Sequence, residues 1–493
     1  MTAIARELPK GWIAVTLEDV CLKITDGSHN PPAKQPHGRA MLSAVNIFNN
    51  QISFDQVRLI TPDDFEREDR RTEVSPGDVL LTIVGSIGRV ATVPATVERF
   101  TLQRSVAVLK PHHIHSRFLM YQIESSRPQG YLRDNAKGTA QKGVYLRTLA
   151  AMPVDLPPLA EQERIVEKIE TLFAEIDKGE EALRAVRKLL ARYRQSVLKA
   201  AVTGALTADW RAANGQPAET GQDLLTRILK HRRVTWQGRG RYVEPVEPDT
   251  RDLPELPDGW VWASLAQLTH IKGGVTVDKK HEPNDPVTLP YLRVANVQNG
   301  YLDLTEIKDI TVERDRAEQC RLKPGDILMN EGGDRDKLGR GWVWSGELDP
   351  CIHQNHVFRA RPVLTELNSR FISYYANAFG QPFFMTKGKQ SVNLASISLT
   401  AISGLPIPLP PIDEQNELVA RIEEVIDQIV HGTEACSMEL ARSAALRQSI
   451  LRQAFAGKLV PQDPADEPAA DLLARIRASQ AAAPKRARTK VLA

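Results

Sequence analysis

The hydrophobic residues between positions 160 and 203 recur at alternating steps of four and three. This spacing places them on one face of an α-helix and is typical of a coiled-coil seam. Pro157 and Pro158 prevent an earlier start and Gly204 is a suitable stop, so we predict one helix of about 66 Å at 1.5 Å per residue. The seam consists of Ile165, Ile169, Leu172, Ile176, Leu183, Val186, Leu190, Tyr193, Val197 and Ala200.

A second seam of the same kind predicts a second long helix near the end of the chain. Burying a large aliphatic side chain is worth ~1.5–3 kcal/mol, so two such stripes would not both stay in water. We expect the helices to pair with each other as an antiparallel coiled coil; the alternative is a four-helix bundle formed with another protein. The second seam consists of Leu418, Ile422, Val425, Ile429, Leu446 and Ile450.

Each seam contains a glycine at the same place, Gly179 in the first and Gly432 in the second. A glycine inside a helix costs ~1 kcal/mol relative to alanine. Its presence in both seams therefore predicts a close crossing of the two backbones, or a hinge.

Each predicted helix follows a segment of domain size, and the two segments are diverged copies of one another. A repeat of this length is a domain with an extension rather than a solenoid unit, and we expect a pseudo-twofold relation between the copies. Three motifs recur in the same order: Leu8–Trp12 with Leu256–Trp260, Ser75–Leu80 with Lys323–Leu328, and Pro157–Gln162 with Pro410–Gln415.

Both copies combine short β-type runs with one helical stretch. Residues 79–84 and 105–109 are strand-like and are bounded by glycine and proline turns, whereas residues 116–125 and 369–378 have a helical pattern. The predicted fold class is therefore α+β. Two pseudo-twofold-related α/β domains are separated by two long helices that form an antiparallel coiled coil.

Composition sets limits on the class of protein. A chain of 493 residues with 42% hydrophobic and 25% charged residues is typical of a globular protein, and its net charge of +3 requires any basic surface to be local. The absence of a hydrophobic signal segment and of ~18 consecutive apolar residues predicts an unanchored, cytoplasmic protein. Four cysteines without a Cys-x-x-Cys pair indicate a reducing compartment and no zinc site: Cys21, Cys320, Cys351 and Cys436.

Polar and basic residues are concentrated in the loops of both copies. Arginine, lysine, glutamine and asparagine pair with base edges in the DNA major groove, and glycine-rich backbone can approach phosphate. Solvated turns are the alternative, but a loop with lysine and glutamine recurs in both copies, around Gln141 and Gln390. The candidate DNA-binding residues are His29, Asn30, Lys34, Arg89, Gln103, Arg104, Lys137, Gln141 and Lys142 in the first copy, and Arg335, Lys337, Gln354, Asn355, Lys387, Lys389 and Gln390 in the second.

With these motifs duplicated and in order, the chain resembles the specificity subunit of a type I restriction-modification system over nearly its whole length. The resemblance rests on the paired Leu-Pro-x-Gly-Trp starts, the proline-rich Glu-Gln junctions and the similar helix ends Leu198–Leu206 and Leu451–Leu459. One departure is Asp155, where the second copy has Pro408.

The resemblance implies two target recognition domains, each of which reads half of a bipartite, asymmetric sequence in double-stranded DNA. It also implies that the long helices bind two modification subunits, similar to N6-adenine methyltransferases, and that restriction subunits with motor and nuclease activity join them. The implied domains are recognition domain 1 (1–156), spacer helix 1 (157–206), a basic linker (207–255), recognition domain 2 (256–409), spacer helix 2 (410–458) and a C-terminal segment with a basic tail (459–493).

Rival chemistries find little support in the residues. Asn30-Pro31-Pro32 is similar to an amino-methyltransferase motif, but Ala33 provides no ring to stack on a flipped base. Asp258 is replaced by Lys10 in the first copy, which opposes a nuclease site, and no phosphate-binding loop for ATP is present. We therefore expect a non-catalytic chain that binds no metal or cofactor, with S-adenosylmethionine, ATP and magnesium on partner subunits. The competing class is a coiled-coil adaptor with two peptide-binding heads.

Two segments outside the predicted domains are informative. Residues 226–242 are rich in arginine and lysine, which indicates either a solvated linker or a phosphate contact, and the basic C-terminal tail would add non-specific DNA affinity. Asp223–Ile228 recurs as Asp471–Ile476, so each copy is expected to end in a short amphipathic helix.

Overall fold

The computed structural model describes residues 8–138, 141–238, 240–276, 283–333, 338–387, 389–390 and 395–482. Its contacts divide the chain into two compact units: unit 1 consists of residues 1–184 and 437–493, and unit 2 of residues 185–436. Each unit contains one mixed head and a half of each long helix, so the predicted α+β class is confirmed.

Head 1 is the part of unit 1 between residues 8 and 156. Its helices are α1 (Pro62–Thr72), α2 (Ser116–Glu124), α3 (Ser126–Asp134) and α4 (Leu146–Ala150). Its strands are β1 (Ile13–Thr16), β2 (Cys21–Asp26), β3 (Arg39–Leu42), β4 (Ile47–Phe48), β5 (Gln51–Ile52), β6 (Arg58–Ile60), β7 (Val79–Thr82), β8 (Val90–Thr92), β9 (Thr101–Leu102), β10 (Val106–Pro111) and β11 (Pro153–Leu156).

The central sheet of head 1 is antiparallel and has the strand order β2-β10-β7-β8. All four residues of β7 are buried, because side chains that alternate along a strand enter two different cores. Val79 and Leu81 belong to the core with the helices, whereas Leu80 packs with a smaller sheet of order β6-β3-β9 through Leu42 and Leu102. The sheet is thus covered on both faces.

Along the chain, head 1 is followed by α5 (Leu159–Val202), α6 (Ala208–Asn214) and α7 (Gly221–Val234). Head 2, between residues 256 and 409, repeats the central sheet of head 1 in the order β13-β20-β16-β18. Its strands are β12 (Val261–Ser264), β13 (Thr269–Gly273), β14 (Pro286–Leu292), β15 (Lys308–Glu313), β16 (Ile327–Asn330), β17 (Gly332–Gly333), β18 (Gly341–Val343), β19 (Ile352–His353), β20 (Val357–Pro362), β21 (Lys389–Gln390), β22 (Ala395–Ser396) and β23 (Pro406–Leu409). The remaining helices are α8 (Leu265–Leu268), α9 (Arg314–Cys320), α10 (Ser369–Lys387), α11 (Leu399–Ser403), α12 (Ile412–Ala454) and α13 (Ala469–Ala482).

The long helices α5 and α12 pair in antiparallel fashion within each unit. In unit 2, Leu190 lies beside Gly432, whereas the later carbonyl of Leu206 accepts a 2.7 Å hydrogen bond from the earlier Arg421. In unit 1, Arg447 of α12 forms a 2.6 Å ion pair with Asp177 of α5. The predicted antiparallel pairing is confirmed in this form.

The predicted seam is buried at the helix ends but not throughout. Ile165, Ile169 and Leu418 are fully buried, whereas Val186 and Tyr193 in the middle of α5 are 42% and 50% exposed. The two helices therefore cover one another only in part. The exposed part of the seam is compatible with the alternative prediction, a four-helix bundle formed with another protein.

The two seam glycines differ in their surroundings. A Cβ at Gly432 would lie 3.2 Å from Cδ1 of Leu190, but no atom of the described residues lies within 4 Å of the equivalent point at Gly179. The predicted close crossing of two backbones is therefore not found at Gly179, and at Gly432 the near neighbour is a side chain; the alternative of a hinge stays a prediction.

The short helices α7 and α13 each pack on the head of the other copy: α7 ends the first copy and packs on head 2, and α13 ends the second copy and packs on head 1. Leu224 and Ile228 of α7, which follows the first copy, enter the core of head 2. Leu472 and Ile476 of α13 enter the core of head 1. The backbone repeats this arrangement, because Gly221 N donates to Gly259 O at 2.6 Å and Ala469 N to Gly11 O at 3.3 Å. Unit 1 is thus built from both ends of the chain.

No helix in the part of the chain that the structure describes is long and apolar enough to cross a membrane.

Candidate nucleic-acid interface

One end of the central sheet of head 1 gathers most of the predicted site residues. Neighbouring strands are antiparallel, so the ends of β2 and β7 lie beside the beginnings of β10 and β8. The described residues of the loops at this end are 27–30, 83–89, 103–105, 137–138 and 141–143. We call them loop end 1.

The segment after β2 is held against the segment before β10 by backbone hydrogen bonds. Ser28 N donates to Leu102 O at 2.8 Å, and Arg104 N donates to Ser28 O at 2.9 Å. Gly27 permits this approach, because a Cβ there would lie 2.1 Å from the oxygen of Leu102. His29 and Asn30 are consequently neighbours of Gln103 and Arg104 in space.

The same network continues across the end of β7. Ile83 N donates to Ser105 O and Val144 N donates to Ile83 O, both at 2.9 Å. Lys137 and Gly143 exchange two backbone hydrogen bonds and close the loop between them beside residues 85–89. The structure therefore brings together eight predicted residues, namely His29, Asn30, Arg89, Gln103, Arg104, Lys137, Gln141 and Lys142. Lys34 is exposed farther along, beside Gln35, whose backbone N–H donates to Leu59 of β6.

Head 2 repeats this framework at loop end 2, which consists of the described parts of residues 274–276, 331–340, 354–356 and 389–396. Asn355 N donates to Val275 O at 2.8 Å, and Glu331 N donates to His356 O at 2.9 Å. Gly274 corresponds to Gly27, because a Cβ at Gly274 would lie 1.9 Å from the oxygen of His353. Gln354 and Asn355 thus occupy the places of Gln103 and Arg104.

The register of the lysine loop corrects one detail of the sequence comparison. Lys389 pairs with Ser396, as Lys137 pairs with Gly143, so the two lysines correspond to each other. Gln390 then follows its lysine directly, at the place of Gly138 rather than of Gln141. Lys387 is exposed at the end of α10, the side chains of Lys389 and Gln390 are not described, and Arg335 and Lys337 lie outside the described residues.

A histidine lies beside a carboxylate at each loop end. His29 Nε2 lies 2.9 Å from Asp26, which also binds Arg71, and His356 Nδ1 lies 2.7 Å from Glu331. Burial lowers the pKa of His353 to about 4, so this ring is neutral near pH 7 and donates from Nδ1 to Val357 O at 2.7 Å. Its role is to shape the backbone beside Gln354.

Apolar side chains at loop end 1 were missed by the sequence analysis. Val45, Phe48 and Tyr145 are exposed next to it, although their type is usually buried: Ala44 N donates to Ser105 Oγ, the ring of Phe48 lies under Arg89, and Tyr145 follows Val144. A single hydrophobic residue in a polar loop carries no periodic signal. Only the position of its loop relative to the sheet reveals it. Such side chains can contact a thymine methyl group.

The Glu-Gln junction motifs join the heads to the helices rather than forming part of the loop ends. Gln162 Oε1 accepts from His115 N at 2.9 Å in unit 1, and Gln415 Oε1 accepts from Asn368 N at 3.1 Å in unit 2. Glu414 accepts from the indole N–H of Trp260 at 2.7 Å. These motifs are therefore structural. Across the described residues, no group of three or more His, Cys, Asp or Glu side chains is placed to hold a metal ion.

Two heads with one backbone framework, each attached to paired long helices, define a class of duplicated recognition proteins. The chain belongs to the family of type I restriction modification DNA specificity domains, whose model matches residues 9–183 and 257–435. The expected resemblance is confirmed, and with it the function of a type I restriction-modification specificity subunit in DNA sequence recognition. The peptide-binding adaptor is not favoured.

Individual relatives match along almost the entire chain. The EcoKI specificity subunit of Escherichia coli (strain K12) is 25% identical over 504 residues, which cover 97% of this chain and 97% of the relative. The StySPI specificity subunit of Salmonella potsdam is 24% identical over 496 residues, covering 96% of each chain. A solved chain, described as the structural basis of complex assembly and conformational transition of the type I R-M system, shares the fold with a TM-score of 0.60. It is 21% identical and covers 92% of this chain and 100% of its own.

Proposed function

We propose that this chain reads a bipartite, asymmetric sequence in double-stranded DNA, one half-site with each loop end. The observation that carries the proposal is the common framework of the two loop ends with different side chains upon it. Gln103-Arg104-Ser105 in head 1 corresponds to Gln354-Asn355-His356 in head 2. Arginine favours guanine and asparagine favours adenine in the major groove, so equal frameworks would read unequal half-sites.

The partners in this proposal are two modification subunits and the restriction subunits with motor and nuclease activity. Support comes from the apolar stripe of Val186, Leu189 and Tyr193 on α5, which is spaced as one helix face and exposed. An exposed apolar stripe of this kind suits helices of another protein. S-adenosylmethionine, ATP and magnesium would be bound by the partners in the cytoplasm, and this chain would be non-catalytic.

A first prediction tests the function as a whole. Cells that express this chain with its modification subunit should show adenine methylation at one bipartite motif in methylome sequencing. The purified chain alone should transfer no labelled methyl group from S-adenosylmethionine to DNA. Absence of any motif, or reproducible turnover by the chain alone, would contradict the proposal.

A second prediction concerns the loop of Gln141 and Lys142. Gln141→Ala should relax one base position of a single half-site, because a bidentate amide contact to adenine is worth ~1–3 kcal/mol. Lys142→Ala should weaken binding to all sequences evenly and reduce its salt dependence. Both effects are measured by binding to a library of half-site variants at several salt concentrations.

The matched controls for this loop are Gln195→Ala and Lys199→Ala, which change exposed residues of α5. They should leave affinity and motif unchanged. If the loop variants behave like these controls, residues 141 and 142 do not contact DNA.

A further inference from the structure

Each loop end contains a turn with the sequence Gly-Arg. The two turns are not found by aligning the copies, because the number of residues between them differs from the number that separates the preceding motifs. Ile87-Gly88-Arg89 precedes β8, and Leu338-Gly339-Arg340 precedes β18, the equivalent strand of head 2. Arg89 is among the residues predicted from the sequence and Arg340 is not, because head 2 has extra residues before the turn.

Backbone hydrogen bonds establish that the two arginines are equivalent. In head 1, Gly88 N donates to Thr82 O at 2.9 Å and Thr82 N donates to Arg89 O at 2.8 Å. In head 2, Gly339 N donates to Asn330 O at 3.1 Å and Asn330 N donates to Arg340 O at 3.0 Å. Each arginine is therefore anchored to the last residue of the central strand β7 or β16.

Both turns require their glycine, which makes the position of the arginine definite. Gly88 has a φ of +95° and Gly339 a φ of +68°, a region that other residues rarely adopt. A Cβ would also lie 2.4 Å from Oε1 of Gln129 in head 1 and 2.0 Å from the ring of Phe384 in head 2. The two turns are therefore similar in backbone conformation but pack against different side chains, Gln129 in head 1 and Phe384 in head 2.

The two arginines have no acidic partner among the residues that the structure describes. No carboxylate of the described residues forms an ion pair with Arg89 or Arg340, in contrast to Arg71 of the same head, which binds Asp26. Arg89 lies with its guanidinium carbon 5.5 Å from the centre of the Phe48 ring. The Nε of Arg340 is buried and has no hydrogen-bond partner among the described residues. Both side chains are half-buried, so part of each arginine remains accessible at its loop end.

We propose that Arg89 and Arg340 form a matched pair of phosphate-binding residues, each of which contacts the DNA backbone at one half-site. This inference rests on the proposed function and adds residues that position the heads rather than read bases. The two half-sites differ in their bases but share the phosphate backbone. An arginine that is the same in both heads, in the same turn, is therefore suited to contact phosphate. Arg104 and Asn355, which occupy equivalent places at the same loop ends, differ between the heads and suit base contacts.

The test uses the full chain, with its partner subunits, and DNA that carries the parent motif. Arg89→Ala and Arg340→Ala should each weaken binding about five- to tenfold and lower the slope of log affinity against log salt by about 0.9, with about 1.8 for the double variant. Arg89→Lys should retain the salt slope, because lysine still provides a point charge for phosphate. The preferred motif should stay unchanged in all variants.

Phosphate-ethylation interference locates the two contacts. Arg89→Ala should abolish one interference signal in one half-site, and Arg340→Ala one signal in the other. Arg452→Ala, an exposed arginine of α12 without a carboxylate partner among the described residues, is the matched control and should change neither slope nor interference.

The outcomes separate this inference from the proposed function. If the parent binds its motif and the alanine variants keep the parental salt slope, the phosphate contacts are refuted and the reading of half-sites stands. A changed motif in either variant would also overturn the inference, because it would show base contact. A parent chain and complex that bind no specific DNA would refute both proposals.

Discussion

Exchange of residues 13–156 for the head of a relative with another specificity is expected to replace one half of the methylated motif and to leave the other half intact. The physical reason is the way in which the chain enters and leaves the head. β1 and β11 are antiparallel neighbours, with Ile13 paired to Leu156 and Thr16 to Pro153. Both ends of the exchanged segment then lie in the pair β1 and β11, next to each other in space. All loops of the donor head are transferred together with their own framework.

Head 2 permits the reciprocal experiment, because Val261 pairs with Leu409 and Ser264 with Pro406 in the same manner. Methylome sequencing should then show a change in the opposite half of the motif. The donor head should retain leucine and valine at the places of Leu17 and Val20, which pack in the same core as α13. A simultaneous change of both halves after a single exchange would refute the model of two independent heads.

Glu414→Ala is expected to destabilise unit 2 by roughly 3–5 kcal/mol, the usual cost of removing one partner from a buried charge pair. The side chain of Glu414 is 2% exposed and forms an ion pair with Arg211. It also accepts hydrogen bonds from Trp260 Nε1 at 2.7 Å and from Thr207 Oγ1 at 2.6 Å. Alanine would deprive Trp260 and Thr207 of this acceptor and remove the carboxylate that balances the charge of Arg211, which would keep only its hydrogen bonds to Gly204 O at 2.6 Å and Thr207 Oγ1 at 3.1 Å.

Urea unfolding measures this effect, with Glu414→Gln as an intermediate variant that keeps an acceptor without the charge. Glu424→Ala, which changes an exposed carboxylate on the same helix, should stay within about 0.5 kcal/mol of the parent. A loss below about 1 kcal/mol for Glu414→Ala would show that the junction is not held by this carboxylate. Recognition of its half-site by head 2 should weaken as Glu414 is replaced, because this carboxylate joins head 2 to α12.

The two long helices and the duplication could be predicted from the sequence because their determinants are local or repeated in order. The spacing of Ile165, Ile169 and Leu172, bounded by proline and glycine, places α5 at Leu159–Val202, close to the expected limits. The paired motifs at Trp12 and Trp260 identified two heads in the same way.

The composition of the loop ends was only partly accessible, because it depends on strand neighbours that are distant in the chain. The order β2-β10-β7-β8 brings Ser28 to Arg104 and Ile83 to Ser105, and such pairing leaves no periodic trace in the sequence. The equivalence of Arg340 with Arg89 was hidden by the longer loop before Gly339, and only the hydrogen bonds of Thr82 and Asn330 reveal it.

Helix periodicity likewise determines which side chains share a face but not what covers them. The seam of α5 was correct as a stripe, yet its middle, at Val186 and Tyr193, remains exposed because α12 reaches only part of it. The repeat also could not show that α7 packs on head 2 and α13 on head 1. Two amphipathic helices of similar sequence carry no signal of which head they contact, whereas in the folded chain Gly221 N donates to Gly259 O and Ala469 N donates to Gly11 O.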